Sequence, residues 1–238
     1  MTTTLVATEK RTEDRIDVLD HGFVRLDAAM ADDLSVVNAA RVSFGRRRDA
    51  MDERDEGLIR FLVRDRHGTP FEHNSFRFHV RAPIFVTREW MRHRMSSFNE
   101  FSLRYAKATD DFYVPEAEDV RTQVGKPGAY TFDQVDPDLA EQTREELRRV
   151  YESAYDAYAR LVDQGVAREV ARSVLPVGAY TEFYWTVNAR SLMNFVSLRA
   201  AETAQREIRR YADAIEHFFA RHMPVTHAAF VANGRVAP

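Results

Sequence analysis

Phe76, Phe78 and Val80 alternate with Arg77, His79 and Arg81, and this six-residue run constrains the fold more than any other stretch of the chain. A period of two sends the three apolar side chains to one face of a strand and the three polar ones to the other. Such a strand belongs to a sheet with one covered face and one wetter face, the usual condition of antiparallel sheets. The cover must come from helices. Leu147, Val150, Tyr151, Ala154, Tyr158 and Leu161 recur at helical spacing between Pro137 and Val162, marking a long amphipathic helix. The two patterns imply an α+β fold: a single domain with a mainly antiparallel sheet flanked by long helices.

The other elements follow the same logic. Ile16 to Leu26 alternates around the turn signal His21-Gly22 and predicts a short hairpin. Asp32 or Asp33 can cap a helix that carries Leu34, Val37, Ala40 and Arg41 and runs out near Phe44-Gly45. A second helix is expected over Asp52 to Arg66, with Leu58, Phe61 and Leu62 on its buried face, before His67-Gly68 and Pro70 end it. Pro83 stands where a helix would start. Ala106 to Asp136 holds two prolines and two glycines with little periodicity and reads as a long loop. Further expectations are a short helix over Arg168 to Val174, a β-branched and aromatic strand over Tyr180 to Val187, and helices over Asn188 to Ala204 and Gln205 to Arg221. No repeat or interdomain linker is evident, so residues 15–232 are taken as one domain, with flexible segments at 1–14 and 233–238.

Composition removes several classes of function. The 238 residues include no cysteine, which excludes a disulfide framework, a thiolate metal site and a thiolate nucleophile. The balance of 34 basic against 37 acidic side chains gives no general attraction to nucleic acid. No run of about 18 apolar residues is present to span a membrane, and the polar residues from Met1 to Asp14 do not resemble a secretory signal, so a cytoplasmic protein is expected. His67, His73 and His79 recur every six residues, but no carboxylate accompanies them at metal-binding spacing, and no metal site is expected.

The densest polar stretch runs from Arg92 to Tyr105, Arg-His-Arg-Met-Ser-Ser-Phe-Asn-Glu-Phe-Ser-Leu-Arg-Tyr. Arginine forks bind phosphate oxygens bidentately and keep their charge at any working pH, while serine and asparagine add neutral donors. The stretch has no glycine and is therefore neither a P-loop nor a dinucleotide fingerprint. It suits a pocket for a phosphorylated small molecule. Composition alone leaves open a solvated arginine cluster, a nucleic-acid binding module or an oligomerisation surface.

These residues resemble the flavin-dependent thymidylate synthases. Arg92, His93, Arg94, Ser97, Asn99, Glu100, Ser102 and Arg104 fill every fixed position of the R-H-R-x-x-S-x-N-E-x-S-x-R signature of that family. The segments His67-Gly68-Thr69-Pro70-Phe71-Glu72-His73, Ala82-Pro83-Ile84-Phe85-Val86, Trp185 to Phe195 and Leu198-Arg199-Ala200 are similar to it as well. The resemblance implies reductive methylation of dUMP to dTMP, with FAD as cofactor, methylenetetrahydrofolate as one-carbon donor and NADPH as reductant. It also implies a homotetramer with shared active sites, acting on small molecules and not on nucleic acid or membranes. A flavin that supplies a hydride offers a route without a thiolate, consistent with the absence of cysteine.

By the same resemblance, Thr69, Arg92, His93, Arg94, Glu100, Asn188, Ala189, Arg190 and Asn194 are expected to hold FAD. Glu89, Arg92, Glu100, Phe101, Ser102, Leu103, Arg104, Arg172 and Arg199 are expected at the nucleotide. Arg199 is the expected catalytic residue, set against the uracil to favour its N3-ionised form. Read without the family, Asn188 is a good helix cap, Arg199 a surface cation, and Ser102 a hydroxyl with no adjacent base. Glu89 stands where many members carry glutamine, and a carboxylate beside a phosphate is expected to need Arg88 or Arg92 to neutralise it.

Overall fold

The hairpin expected around His21-Gly22 is formed by β1 (Arg15–Val18) and β2 (Gly22–Met30) in the computed structural model, which describes residues 14–126 and 128–238. The flexible segment expected at 1–14 lies, apart from Asp14, outside the described residues. Asp32 caps α1 (Asp33–Arg41), its side chain accepting the Ser35 N–H at 2.6 Å. Asp52 and Asp55 close a reciprocal capping box at the start of α2 (Glu53–Arg64).

The buried face of α2 differs from the expected one. Ile59, Leu62 and Val63 point inward with Asp55, whereas Phe61 is exposed and Leu58 only partly buried. The reason is ionic: the Asp55 carboxylate is fully buried between Arg41 and Arg48, and this pairing turns the helix away from the Leu58/Phe61 stripe.

The alternating run becomes β3 (Ser75–Pro83), followed at once by α3 (Ile84–Trp90) with Pro83 at the N-cap. The signature segment contributes β4 (Ser96–Glu100), a strand that its polar composition did not announce. Residues 106–136 hold a small exposed hairpin, β5 (Val124–Lys126) with β6 (Ala129–Thr131). The rest of that stretch is tethered. The Tyr113 hydroxyl donates to Glu207 at 3.1 Å, Phe112 bridges to Ala179, and Asp119 pairs with Arg206 and Arg210 at 2.6 and 2.9 Å.

The chain then forms α4 (Pro137–Asp163), the short α5 (Arg168–Ala171) running into a 3-10 turn, and β7 (Tyr180–Asn188). It ends with α6 (Ala189–Arg199), α7 (Arg206–His222) and α8 (Pro224–Ala232), the last not foreseen. The five long strands lie in the order β1-β2-β3-β7-β4, every neighbouring pair antiparallel. The fold is thus α+β with an antiparallel sheet, as expected. Among the described residues no helix is long and apolar enough to cross a membrane.

Register carries the alternation across the sheet. Val80 faces Phe183, Phe78 faces Trp185 and Phe76 faces Val187, all on the covered side, while His79 and Arg81 face Tyr184 and Glu182 on the other. Phe76, Phe78, Val80 and Trp185 are completely buried, and each such side chain contributes about 1.5–3 kcal/mol by leaving water. The core beneath the site is an aromatic cluster: Trp90 lies 4.8 Å from Phe195 and 5.2 Å from Trp185, and Trp185 lies 5.0 Å from Phe195. These rings lock α3 and α6 against β7 and so fix where the next residues of both helices emerge.

Candidate functional site

The residues that emerge above this cluster line a cleft of about 900 Å³. The turn after α3 supplies Arg92, His93, Arg94 and Met95, and α6 supplies Arg190, Ser191, Asn194, Leu198 and Arg199. Glu72, Val187, Asn188, Ala237 and Pro238 complete the lining. The helical period explains the second set. Leu192, Met193, Phe195 and Val196 are buried on the inner face of α6, which leaves Arg190, Asn194 and Leu198, four residues apart, along the outer ridge.

At the floor of the cleft Arg199 is held on three sides. Its Nη1 donates to the Glu89 carboxylate at 3.0 Å, its Nη2 to the Glu89 carbonyl at 3.1 Å, and its Nε to His93 Nε2 at 3.1 Å. An arginine Nε has only a proton to offer, so His93 Nε2 must be the lone-pair nitrogen and His93 neutral, with its own proton on Nδ1. Burial, followed by the charge of Arg199, pushes the His93 pKa down from 6.5 to about 4. The His93 ring also packs edge-on against Phe195 at 5.0 Å. Arg199 is therefore not the surface cation that base rates suggest; its side chain is only 19% exposed. Nor do Arg88 or Arg92 neutralise Glu89. Arg199 does.

Arg190 is gripped by a different set. Its Nη1 donates to Glu72 at 2.6 Å and its Nε to the Pro238 backbone oxygen at 2.8 Å. Gly68 passes so close that a Cβ there would lie 2.4 Å from Arg190 Nε. Arg92 and Arg94 are exposed and make no ion pair or side-chain hydrogen bond among the described residues. Two unpaired guanidinium groups beside a cleft in the size range of cofactor sites suit an anionic ligand of cofactor size, and the pyrophosphate of FAD meets that requirement.

The remaining signature residues gather elsewhere. Glu100 accepts a hydrogen bond from the Thr181 hydroxyl at 2.9 Å, and the Phe101 N–H donates to the Glu182 carbonyl at 2.8 Å. Ser102 opens a turn in which its carbonyl accepts the Tyr105 N–H at 3.0 Å and its hydroxyl the Arg104 N–H at 3.3 Å, with half-buried Leu103 between. Arg104 reaches Glu169 at 3.1 Å, and Arg168 reaches the Tyr105 carbonyl at 2.6 Å. This brings the turn beside the helix that bears Arg172, which is exposed and unpaired among the described residues. No base touches the Ser102 hydroxyl among the described residues; nucleophilic attack would require one, and phosphate binding would not.

Several expected residues have structural duties as well. Asn188 caps α6 by accepting the Ser191 N–H at 2.9 Å, and the buried Ala189 N–H donates to the Asn74 carbonyl at 3.0 Å. Thr69 is exposed at the start of a 3-10 turn and does not line the cleft. His67 stacks on Phe61 at 5.4 Å, and His79 bonds Glu182 at 2.9 Å. Sequence reasoning did not single out Glu72, Met95, Ser191, Leu198 or the closing Ala237-Pro238. Glu72 lay within a segment already matched to the family. The last two residues carried no signal, because only the folded chain returns them to the cleft.

The chain is similar to known proteins along most of its length. A family model described as thymidylate synthase complementing protein matches residues 25–225. The chain is 48% identical to the flavin-dependent thymidylate synthase of Thermosipho africanus, over 90% of this chain and 92% of that protein. It is 45% identical to the flavin-dependent thymidylate synthase of Streptomyces coelicolor, over 99% and 100%. The crystal structure of the UMP/dUMP methylase PolB from Streptomyces cacaoi, bound with 5-Br dUMP, superposes with a TM-score of 0.87 at 47% identity, covering 94% of this chain and all of that one.

Proposed function

The chain belongs to the flavin-dependent thymidylate synthase family, and from that premise we propose that it converts dUMP to dTMP with bound FAD, a methylene from methylenetetrahydrofolate and reducing equivalents from NADPH. The observation that carries this reading is the cleft in which Arg92, Arg94 and Arg190 stand beside a fixed Arg199. Bound flavin supplies the hydride that completes the methyl group.

The protein's own residues bind and polarise. Arg92 and Arg94 are free to take the cofactor's phosphate oxygens. Arg190, braced by Glu72, and Asn194 on the same ridge hold its remaining polar groups. Arg199 offers its cation where negative charge develops on the uracil, favouring loss of the N3 proton and an electron-rich ring that attacks the methylene carbon. Ser102, Arg104 and Arg172 take the nucleotide phosphate, and Arg172 has no competing partner among the described residues.

The phosphate group of residues and the Arg199 group lie toward opposite ends of β4, which spans roughly 13 Å from Ser96 to Glu100. That separation supports an active site completed by a second copy, within a homotetramer.

The test is release of tritium from position 5 of labelled dUMP, together with bleaching of the flavin absorbance by NADPH under anaerobic conditions. Release that depends on nucleotide, folate and flavin is expected. A protein that takes up no flavin from excess FAD would overturn the reading. A second substrate, UMP, is favoured by the likeness to a UMP/dUMP methylase, and the same assay with labelled UMP tests it.

A further inference from the structure

We propose that Arg168 is the positioning residue of the nucleotide-phosphate turn: it holds Ser102 and Arg104 in place opposite Arg172 without itself meeting the phosphate. The proposal deepens the reading of the phosphate residues given above and rests on it.

The turn that carries Ser102 and Arg104 is a single coil of backbone. The Ser102 carbonyl accepts both the Tyr105 N–H at 3.0 Å and the Ala106 N–H at 3.1 Å. A coil this short leaves the carbonyls at its far end without internal partners. Arg168 takes one of them, its Nη1 donating to the Tyr105 carbonyl at 2.6 Å. A cation suits the C-terminal end of a helical turn, and its charge strengthens the bond. The chain on either side is fastened elsewhere. The Phe101 N–H donates to the Glu182 carbonyl of β7 at 2.8 Å, and the Ala108 N–H to the hydroxyl of Tyr158, buried on α4, at 3.0 Å. Between those fixed points the turn rests on α5 through Arg168 and through the Arg104–Glu169 ion pair.

These two ties are not equivalent. The Arg104–Glu169 pair is more than half exposed on both sides, and it occupies the guanidinium that a phosphate needs. The Arg168 bond ends on a backbone carbonyl, so it holds equally well when Arg104 turns to a ligand. Arg168 also lies one helical turn before Arg172, whose N–H donates to the Arg168 carbonyl. One side chain thus joins the signature turn to the helix that bears the third phosphate residue, and the buried Ala171 seats that helix. Fixing the phosphate ligands relative to one another before the nucleotide arrives leaves less to be ordered on binding.

In the flavin-loaded protein, Arg168→Ala should raise the KM for dUMP by about 10-fold, while kcat at saturating dUMP falls by less than about 3-fold and flavin content is unchanged. Amide hydrogen exchange over residues 102–106 in the nucleotide-free protein reads the turn without reference to any substrate, and should be at least about 5-fold faster in Arg168→Ala. Dissociation constants from dUMP titration of the flavin absorbance separate positioning from direct contact. In a Ser102→Ala/Arg104→Ala background the turn has no phosphate side chain left to place, so adding Arg168→Ala should weaken binding by less than about 2-fold. A further loss of full size there would mean that Arg168 meets the phosphate directly, and would overturn the proposal. So would an unchanged KM, a loss in kcat as large as the change in KM, or parental exchange over 102–106. Failure of the parent protein to bind dUMP would instead count against the proposed function, and the exchange measurement would still decide whether Arg168 holds the turn.

Discussion

At the scale of single residues, most of the polar side chains that matter are held by partners far away in the chain. Asp33 is the clearest example outside the site. Its carboxylate accepts the Val225 N–H, the Thr226 N–H and the Thr226 hydroxyl at 2.9, 2.9 and 2.6 Å, and so caps the start of α8 from 192 residues away. Asp33→Ala strands the buried Thr226 N–H and hydroxyl and the half-buried Val225 N–H and is expected to cost about 2–4 kcal/mol in urea unfolding. His93 gives a pH dependence with a definite sign. Its pKa is 6.5 as a free side chain and about 4 here, so between those values the unfolded chain binds more protons than the folded one. The stability owed to neutral His93 is complete above pH 6.5 and is lost as the pH falls through about 4. Thermal melts across that window should fall less steeply in His93→Gln than in the parent.

At the scale of elements, the cleft exists because short connections follow well-packed helices and strands. The 3-10 turn over Thr69–His73 brings Glu72 to Arg190, and Gly68 just before it leaves room for that guanidinium. The Gly68 backbone is ordinary helical, so Gly68→Ala introduces no backbone strain. The displaced atoms belong to the far end of a flexible side chain. Gly68→Ala should therefore change stability by less than about 1 kcal/mol yet weaken FAD binding by roughly 10-fold, measured by fluorescence titration of the apoprotein. A variant that binds FAD normally would remove Arg190 from the cofactor's contacts. The same scale shows what sequence patterns convey. The amphipathic α4 and the alternating β3 were legible because one face of each meets the interior at a regular period. β4 was not, since Ser96-Ser97-Phe98-Asn99-Glu100 has one large apolar residue and owes its extended form to the free edge of β7. The phase of α2 was misread because a buried Asp55, neutralised by Arg41 and Arg48, occupies a position that hydrophobicity assigns to solvent.

At the scale of the whole molecule, the two groups of signature residues raise the question of how one nucleotide is served by both. If sites are shared between copies, subunits that lack different halves should complement one another. Arg104→Ala and Arg199→Ala, each inactive alone, should recover about a quarter of parental activity when refolded as an equal mixture, because about one site in four then draws both intact halves. No recovery, in a mixture shown by sizing to have exchanged subunits, would assign each active site to a single chain.

The amino-acid sequence by itself determined the fold class, the covered and open faces of the sheet, most helix starts, and the family, because periodicity, capping and a contiguous signature are local properties. It also supplied half of the residues now found around the cleft, Arg92, His93, Arg94, Asn188, Arg190, Asn194 and Arg199. Tertiary structure alone decided which of those residues meet. That Arg199 closes on Glu89 and His93, 110 and 106 positions away, that Pro238 returns to Arg190, and that Asp33 caps α8 are long-range contacts. Their partners are selected by the packing of the aromatic core between α3, β7 and α6, and no local pattern records the outcome of that packing.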